Sequence, residues 1–365
     1  MKKTLLTICL VWMCFSLSAQ KIIDLSGKWS FSIDRQDNGE KEKWFSHTLN
    51  DFINLPGSMP EKLKGDEVTA KTQWTGSLYD SSYYYNPYME KYRKEGNIKF
   101  PFFLTPDKHY VGAAWYQKEV NIPADWKGER ILLFLERPHI ETTVWVNGQK
   151  TGMQNSLCVP HQYDITHYVR PGKCTITIRV DNRIKEINVG PDSHSITDQT
   201  QGNWNGIVGR ICLQTTPKTY FDDIQIYPEP EQKLARVKVV IKGTGTAKVK
   251  LSAESFNTDK KHIVPAIQQE IKLNKGVTET EMVLPMGNDM LLWDEFHPAL
   301  YKLKAEVTNG KKTEIKEIQF GMRRFEIKGK WFYVNGRKTQ LRGTVENCDF
   351  PLTGYAPMDV ESWER

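Results

Sequence analysis

After its first residues the chain has no stretch approaching the roughly 20 consecutive apolar residues that a membrane-spanning helix needs, which excludes a helical membrane domain. Its cysteines form no C-x-x-C pair, so a zinc site of that spacing is excluded, and no metal or cofactor is expected. The 50 Lys and Arg against 44 Asp and Glu leave a formal charge of only +6, spread without a dense basic block, which argues against a nucleic-acid partner. There is no internal repeat and no low-complexity tract, so solenoids and disordered linkers drop out. Amphipathic helical periodicity of useful length is missing until the last few residues, which excludes a helical bundle.

What is present begins with Met1, Lys2 and Lys3, an apolar run from Leu5 to Leu17, and then Ser18-Ala19-Gln20. A charged start, a short apolar core and a small residue before a cut describe a cleavable signal peptide over residues 1–19, with cleavage near Ala19 and export to the periplasm or beyond. Cys14 raises the alternative of a lipid-modified cysteine, but Trp12-Met13 before it fits such a site poorly. Of the six cysteines, Cys158, Cys174, Cys212 and Cys348 remain after that cut. Export permits a disulfide among them, while buried free thiols are the expected state. The remaining length allows two or three domains; the oligomeric state is left open.

The rest reads as strands. Val144 to Lys150 is a hairpin around Asn147-Gly148, a pair that tolerates the positive φ angles of a tight type I′ turn. Asn309-Gly310 and Asn335-Gly336 offer the same pair. Thr175 to Asp181 alternates with period two, as a half-buried strand should, and so do 236–242, 248–253 and 301–307. Short strands with regular turns point to β-sandwiches. Pro217, Pro228 and Pro230 mark one boundary, and Gly321-Met322-Arg323-Arg324 a second. Between them lies a stretch the size of an immunoglobulin-like domain. The segment from Trp74 to Tyr110 carries Tyr79, Tyr83, Tyr84, Tyr85, Tyr88, Tyr92 and Tyr110. Packing on a sandwich is the expected role of any one of these rings, with a platform for the C–H face of a sugar the alternative.

Several segments, taken in order, resemble glycoside hydrolase family 2, the retaining β-glycosidases that include β-galactosidases, β-glucuronidases and β-mannosidases. They are Leu25 to Phe31, Leu55-Pro56-Gly57-Ser58, Trp115 to Lys118, Ile122 to Trp126, Val144 to Gly152, Tyr163-Asp164-Ile165-Thr166, and Trp204 to Arg210. Leu292-Trp293 with Pro298 to Tyr301 resembles the late strands of the family's immunoglobulin-like domain. Phe320 to Arg323, Asn335 to Lys338 and Leu341-Arg342-Gly343 resemble the entry to its catalytic barrel. The resemblance implies an all-β chain: a jelly-roll-like sugar-binding sandwich over 20–217, an immunoglobulin-like sandwich over 218–320, and an incomplete start of a (β/α)8 barrel over 321–365. Independently of it, Trp29, Trp115 and Trp145 are expected in a core, Asp164 as a turn residue bonding its own backbone, and Gly343 where the backbone passes something bulky.

The resemblance also implies a carbohydrate partner and carboxylate catalysis. Retaining glycosidases need two carboxyl groups about 5–5.5 Å apart, which the family takes from strands deep in the barrel, so no catalytic residue is assigned in this chain. Sugar contacts are expected from two places. One is the loop ahead of the Trp204 segment, with Asp192, His194, Asp198, Gln199, Gln201, Asn203, Trp204 and Asn205, dense in groups that suit vicinal hydroxyls. A position acidic in several relatives is Gly202 here. The other is Glu346 and Asn347, with Asp349 nearby, where the family often carries a His-Glu pair that this chain does not keep. Asp359 to Arg365 resembles the start of a barrel helix capped by Asp359. Residues from about Thr344 onward are expected to lack partners and to be mobile, a strand at 340–345 to be unpaired, and Trp363 to be exposed. Three readings compete: the amino-terminal part of a glycosidase inactive alone, a non-catalytic carbohydrate-binding protein, and a structural sandwich without ligand.

Overall fold

Period-two alternation becomes strand through most of the chain. The computed structural model describes residues 20–69, 71–75, 85–99, 105–157, 159–185, 202–345 and 350–364. The described chain forms two units, Lys21–Thr216 with Gly343–Arg365, and Pro217–Arg342.

The first unit is a sandwich of two antiparallel sheets. One runs in the order Gln149–Asn155, Glu141–Val146, Gly172–Asp181, Ala113–Ile122, Gly27–Asp34, Asp51–Leu55. The other runs Ile22–Asp24, Gly206–Thr216, Arg130–His139, His161–Asp164, with the short strand Gly57–Ser58 also paired to Gly206–Thr216. Alternate residues of both sheets point inward and make one core, among them Trp29, Phe31, Tyr116, Ile176, Ile178, Leu133, Leu135, Ile211 and Leu213. Burying each such side chain stabilises the fold by about 1.5–3 kcal/mol. Trp29 also donates its indole N–H to Leu25 O at 2.8 Å, so its one polar atom is satisfied. Asp164 behaves as expected: its carboxylate accepts from Thr166 N at 3.1 Å and from Arg130 at 2.8 Å.

Gly172–Asp181 is not half-buried. Ile176, Ile178 and Val180 enter the core, but Thr177, Arg179 and Asp181 on the opposite face are buried as well. The cause is the loop before Asp51. It lays Trp44, Phe45 and Leu49 across the outside of the six-stranded sheet, over Trp115 and Trp145. Two of the three expected core tryptophans therefore form this second layer, their rings 5.0 Å apart, while Trp29 alone lies between the sheets. Asp34 sits beneath, accepting from Trp115 Nε1 at 2.9 Å and Gly39 N at 2.8 Å. Alternation in one strand cannot report a cover contributed by a distant loop.

The second unit is built on one long hairpin. Leu234–Phe256 and Ile263–Pro285 pair along most of their length, with register shifts at Gly243/Gly245 and Leu251/Ala253. The first half of Leu234–Phe256 pairs with Tyr220–Glu229 and its second half with Leu300–Asn309, which in turn pairs with Lys312–Phe320. Side chains from both halves, including Val237, Val239, Ile241, Val249, Leu251, Leu303 and Val307, share one core. Its polar anchor is Tyr301, whose hydroxyl accepts from Leu291 N at 2.8 Å and pairs with His262 Nδ1 at 2.6 Å. Tyr301→Phe should cost this unit about 1–3 kcal/mol, because it leaves the Leu291 N–H without its partner. Equilibrium urea unfolding measures it, and an unchanged midpoint would contradict the assignment.

The Asn-Gly pairs divide. Asn147-Gly148 and Asn335-Gly336 have positive φ at both residues, as type I′ turns require. At the third site Asn309 pairs with Lys312, so Gly310 and Lys311 make the turn and only Gly310 has positive φ. Asn309 instead holds Thr219 Oγ1 at 3.0 Å and Thr244 O at 2.8 Å.

Beyond this sandwich, Phe325–Lys328, Trp331–Val334 and Arg337–Thr339 form a three-stranded meander. No strand forms at 340–345, where the first barrel strand was expected, and a Cβ at Gly343 would meet open space. Residues 340–345 lack a pairing neighbour, as expected, and without one they do not take up strand structure; the expectation of something bulky against Gly343 is corrected. The expected helix start is a 3-10 turn, Glu361–Trp363, although Asp359 does accept from Ser362 N at 2.8 Å. Cys174 and Cys212 are free and buried, and burial pushes the Cys174 thiol up to about 11. Cys158 and Cys348 lie outside the described residues.

Candidate functional site

The strand Gly206–Thr216 begins immediately after Asn203-Trp204-Asn205, and these three residues are built into the fold. Asn205 is wholly buried. It accepts from Tyr116 Oη at 2.7 Å and donates to Gly112 O and Val180 O, both at 3.0 Å. Asn203 pairs with His139 Nε2 at 3.2 Å and donates to Thr75 Oγ1 at 2.9 Å and Asn182 O at 3.0 Å. Trp204 is 5% exposed, with the His139 ring stacked on it at 4.6 Å. All four amide hydrogens of the two asparagines thus serve the sandwich, and the indole is covered.

Part of that cover comes from the far end of the chain. The Tyr355 ring lies 5.5 Å from Trp204, and Gly354, at φ +80°, presses so close that a Cβ there would sit 2.7 Å from the indole. Ser58 donates its hydroxyl to Thr353 O at 2.5 Å, and Tyr355 donates to Glu61 Oε2 at 2.7 Å. Burial alone would raise the Glu61 carboxyl. Hydrogen bonds from Lys62, Tyr355 and Ser58 N outweigh it and hold the group below its usual range, so it is an anion and a strong acceptor. Burial, reinforced by the Glu61 carboxylate, pushes the Tyr355 hydroxyl well above its ordinary value. The turn is stiffened from within by Gly354 N to Phe350 O at 2.6 Å and Thr353 Oγ1 to Tyr355 O at 2.8 Å. The expectation that everything beyond Thr344 lacks partners is therefore corrected: residues 353–355 dock on the sandwich. Val345 and Trp363, 90% and 53% exposed, remain open as expected.

Asp192, His194, Asp198, Gln199 and Gln201, and likewise Glu346, Asn347 and Asp349, lie outside the described residues. Their described flanks meet, however: the Cα of Gly354 would be 4.0 Å from a Cβ on Gly202. The departure of the first loop from the sheet is held by a cluster of three acids and three bases. Asp181 receives Arg183 at 2.6 Å, Lys185 at 2.8 Å and Arg179 at 2.9 Å, while Arg179 also reaches Asp37 at 2.6 Å and Glu141 at 3.3 Å. Sequence reading missed Ser58, Glu61, His139 and Tyr355. The only signal was the Leu55-Pro56-Gly57-Ser58 turn, which marked the place without its partner. Of the tyrosines, Tyr110 is buried and donates to Ala113 O at 2.9 Å, whereas Tyr85 and Tyr88 are 80% and 85% exposed. Tyr79, Tyr83 and Tyr84 lie outside the described residues. Among the described residues no group of three or more His, Cys, Asp or Glu is arranged to hold a metal, and no helix is long and apolar enough to cross a membrane.

The profile described as "Glycosyl hydrolases family 2, sugar binding domain" matches residues 22–217, and that described as "Glycosyl hydrolases family 2" matches residues 219–323. The chain belongs to glycosyl hydrolase family 2. A β-glucuronidase of Paenibacillus borealis is 23% identical over 355 residues, taking in 92% of this chain and 51% of that protein. The β-galactosidase large subunit of Latilactobacillus sakei is 23% identical over 350 residues, 93% of this chain and 52% of its own length. The structure of Ruminococcus gnavus β-glucuronidase in complex with D-glucaro-d-lactam shares the fold, with a TM-score of 0.61 at 19% identity over 89% of this chain and 49% of that one. This family 2 chain thus spans about half the length of the curated relatives it matches.

Proposed function

We propose that this polypeptide supplies the sugar-binding and immunoglobulin-like modules of an exported family 2 glycosidase, and that its first unit contributes one side of the site that holds a β-linked sugar. The observation that carries this reading is the junction at Trp204. Asp198 and Gln199 stand on one side of it in sequence, Glu346 and Asn347 just before the other, and the flanks Gly202–Asn205 and Phe350–Tyr355 are pressed together. The carboxamides and carboxylates that the sequence carries next to these two flanks are groups that suit a ring of vicinal hydroxyls. The substrate class is the β-glucuronide or β-galactoside in the names of the relatives. The family's resemblance places the acid/base and the nucleophile on a barrel, whereas the matched segments, 22–217 and 219–323, are sandwiches.

Two measurements test this. The purified 365-residue chain should show no turnover of aryl β-glucuronides or β-galactosides; turnover that Glu346→Gln abolishes would overturn the reading. Carboxyl footprinting with a saturating glucuronide or galactoside should protect Asp198 and Glu346 together, and protection of neither would remove the sugar contact from this junction. Export is part of the same proposal. Fractionation of the native host should recover a chain starting near Gln20 outside the cytoplasm.

A further inference from the structure

The loop that covers the outside of the six-stranded sheet leaves a hollow of about 320 Å³ at its edge, lined by Phe45, Ser46, His47, Thr48, Gln117, Asn147, Gly148 and Thr175. We propose that this hollow is a binding site for a neutral sugar unit. The volume is at the small end of the range for ligand pockets. Its chemistry is specific: an aromatic wall, three hydroxyls, two carboxamides and an imidazole, with no Lys, Arg, Asp or Glu in the lining. A site of that composition bonds uncharged hydroxyls and has no cationic side chain to pair with a carboxylate, sulfate or phosphate, so it favours the neutral ligand.

The site is held ready. Phe45 is stacked on Trp145 at 5.2 Å and 7°, and Trp145 rests on Trp115, so the wall cannot swing away. Leu49 is buried and anchors the far end of the loop. Gln117, itself only 8% exposed at the floor, donates both amide hydrogens, to His47 O at 3.1 Å and to Thr177 Oγ1 at 3.1 Å. That fixes the loop over the sheet and leaves the Gln117 carbonyl oxygen for a ligand hydroxyl. Asn147 is fixed in its turn by Thr175 N at 2.9 Å and Tyr168 O at 3.2 Å. Ser46, His47 and Thr48 are exposed at the rim. A hexopyranose presents an apolar C–H face to a ring and hydroxyls around its edge, and this arrangement answers both.

The test is a backbone-amide NMR titration of the whole chain with methyl β-D-galactopyranoside and methyl β-D-glucopyranoside, and with methyl β-D-glucuronide as the anionic comparison. Neutral glycosides should shift residues 46–48, 117, 147–148 and 175, with affinity in about the millimolar range expected of a shallow single-unit site. Ser46→Ala and Thr48→Val lie on the exposed rim and should leave the rest of the spectrum unchanged, while each weakens binding by about fivefold, the effect of one lost hydrogen bond. Phe45→Ala should abolish it. No shift in this set with either neutral glycoside, equal binding of the glucuronide, or affinity unmoved by the rim variants would each overturn the proposal. It does not depend on Asp198, Gln199, Glu346 or Asn347 touching a sugar, because shifts at 202–205 and 350–355 report that junction separately.

Discussion

Gly354→Val should release the last residues of the chain from the first sandwich while leaving the sandwich folded. Two effects act together. The residue sits at φ +80°, where an L side chain costs about 1–3 kcal/mol, and its Cβ would overlap the Trp204 indole at 2.7 Å. The indole is held in place, because His139 is stacked on it and its neighbours Asn203 and Asn205 are tied by hydrogen bonds to Asn182 O and Val180 O. The docked turn must therefore lift. A shift of that size corresponds to about a 5–150-fold rise in the open population. Amide exchange at Thr353–Tyr355 should accelerate accordingly, and limited proteolysis should cut within 350–363 in the variant before it does in the parent. The thermal transition of the sandwich itself should move little, since its core of Trp29, Tyr116 and Leu133 is untouched. Glu61→Gln tests the polar half of the contact and should give a smaller acceleration. The pH dependence has a definite sign. The Glu61 carboxyl is held below its free value, so the contact is at full strength above about pH 4.5 and weakens as pH falls through the lower, folded-state value. Equal exchange at residues 353–355 in parent and Gly354→Val would mean that the turn is not docked in solution.

That junction marks the limit of what the sequence discloses. The strands were legible because alternation is local: Ile176, Ile178 and Val180 announce an inward face whatever lies elsewhere. Asn147-Gly148 announces its turn for the same reason. Trp204 was legible as a residue of consequence, but not that its partners would be His139 and Tyr355, because no periodicity links positions so far apart. Asn203 and Asn205 show the converse error. A loop rich in carboxamides looks available to a ligand, yet each of these groups is held by backbone carbonyls and buried side chains. Composition gives the donors and acceptors, whereas the fold decides which are already engaged. Arg179 and Asp181 make the same point inside one strand. Their alternation put them on a face that should have met water, and only the loop bearing Asp37 explains why they are buried.

Asp181→Asn is expected to be the most destabilising substitution in the first unit that removes no apolar surface. Asp181 is fully buried and receives Arg179, Arg183 and Lys185, together with Arg183 N at 3.0 Å. Burial by itself would raise its carboxyl. The hydrogen bonds from Arg183 and Lys185 and the charge of Arg179 outweigh that, holding it well below the usual carboxylate range. The asparagine keeps the shape and loses the charge, leaving Arg179, 7% exposed, with only Asp37 and the longer contact to Glu141. Breaking a buried ion pair on one side costs about 3–5 kcal/mol. The sign with pH follows from the depressed folded value: the contribution is complete above about pH 4, the unfolded carboxyl's range, and is lost as pH falls through the folded value. The gap in stability between parent and variant should therefore be constant from neutral pH down to about pH 4 and close below it. The charge argument also predicts a partner effect. Arg179→Met removes the cation that Asp181→Asn strands, so the double variant should lose less than the two single variants together. Denaturation with urea across that pH range measures both. Additive losses, or a gap already closing at neutral pH, would show that Asp181 holds the strand end at Arg183 and Lys185 through hydrogen-bond geometry alone, without the ion pair to Arg179.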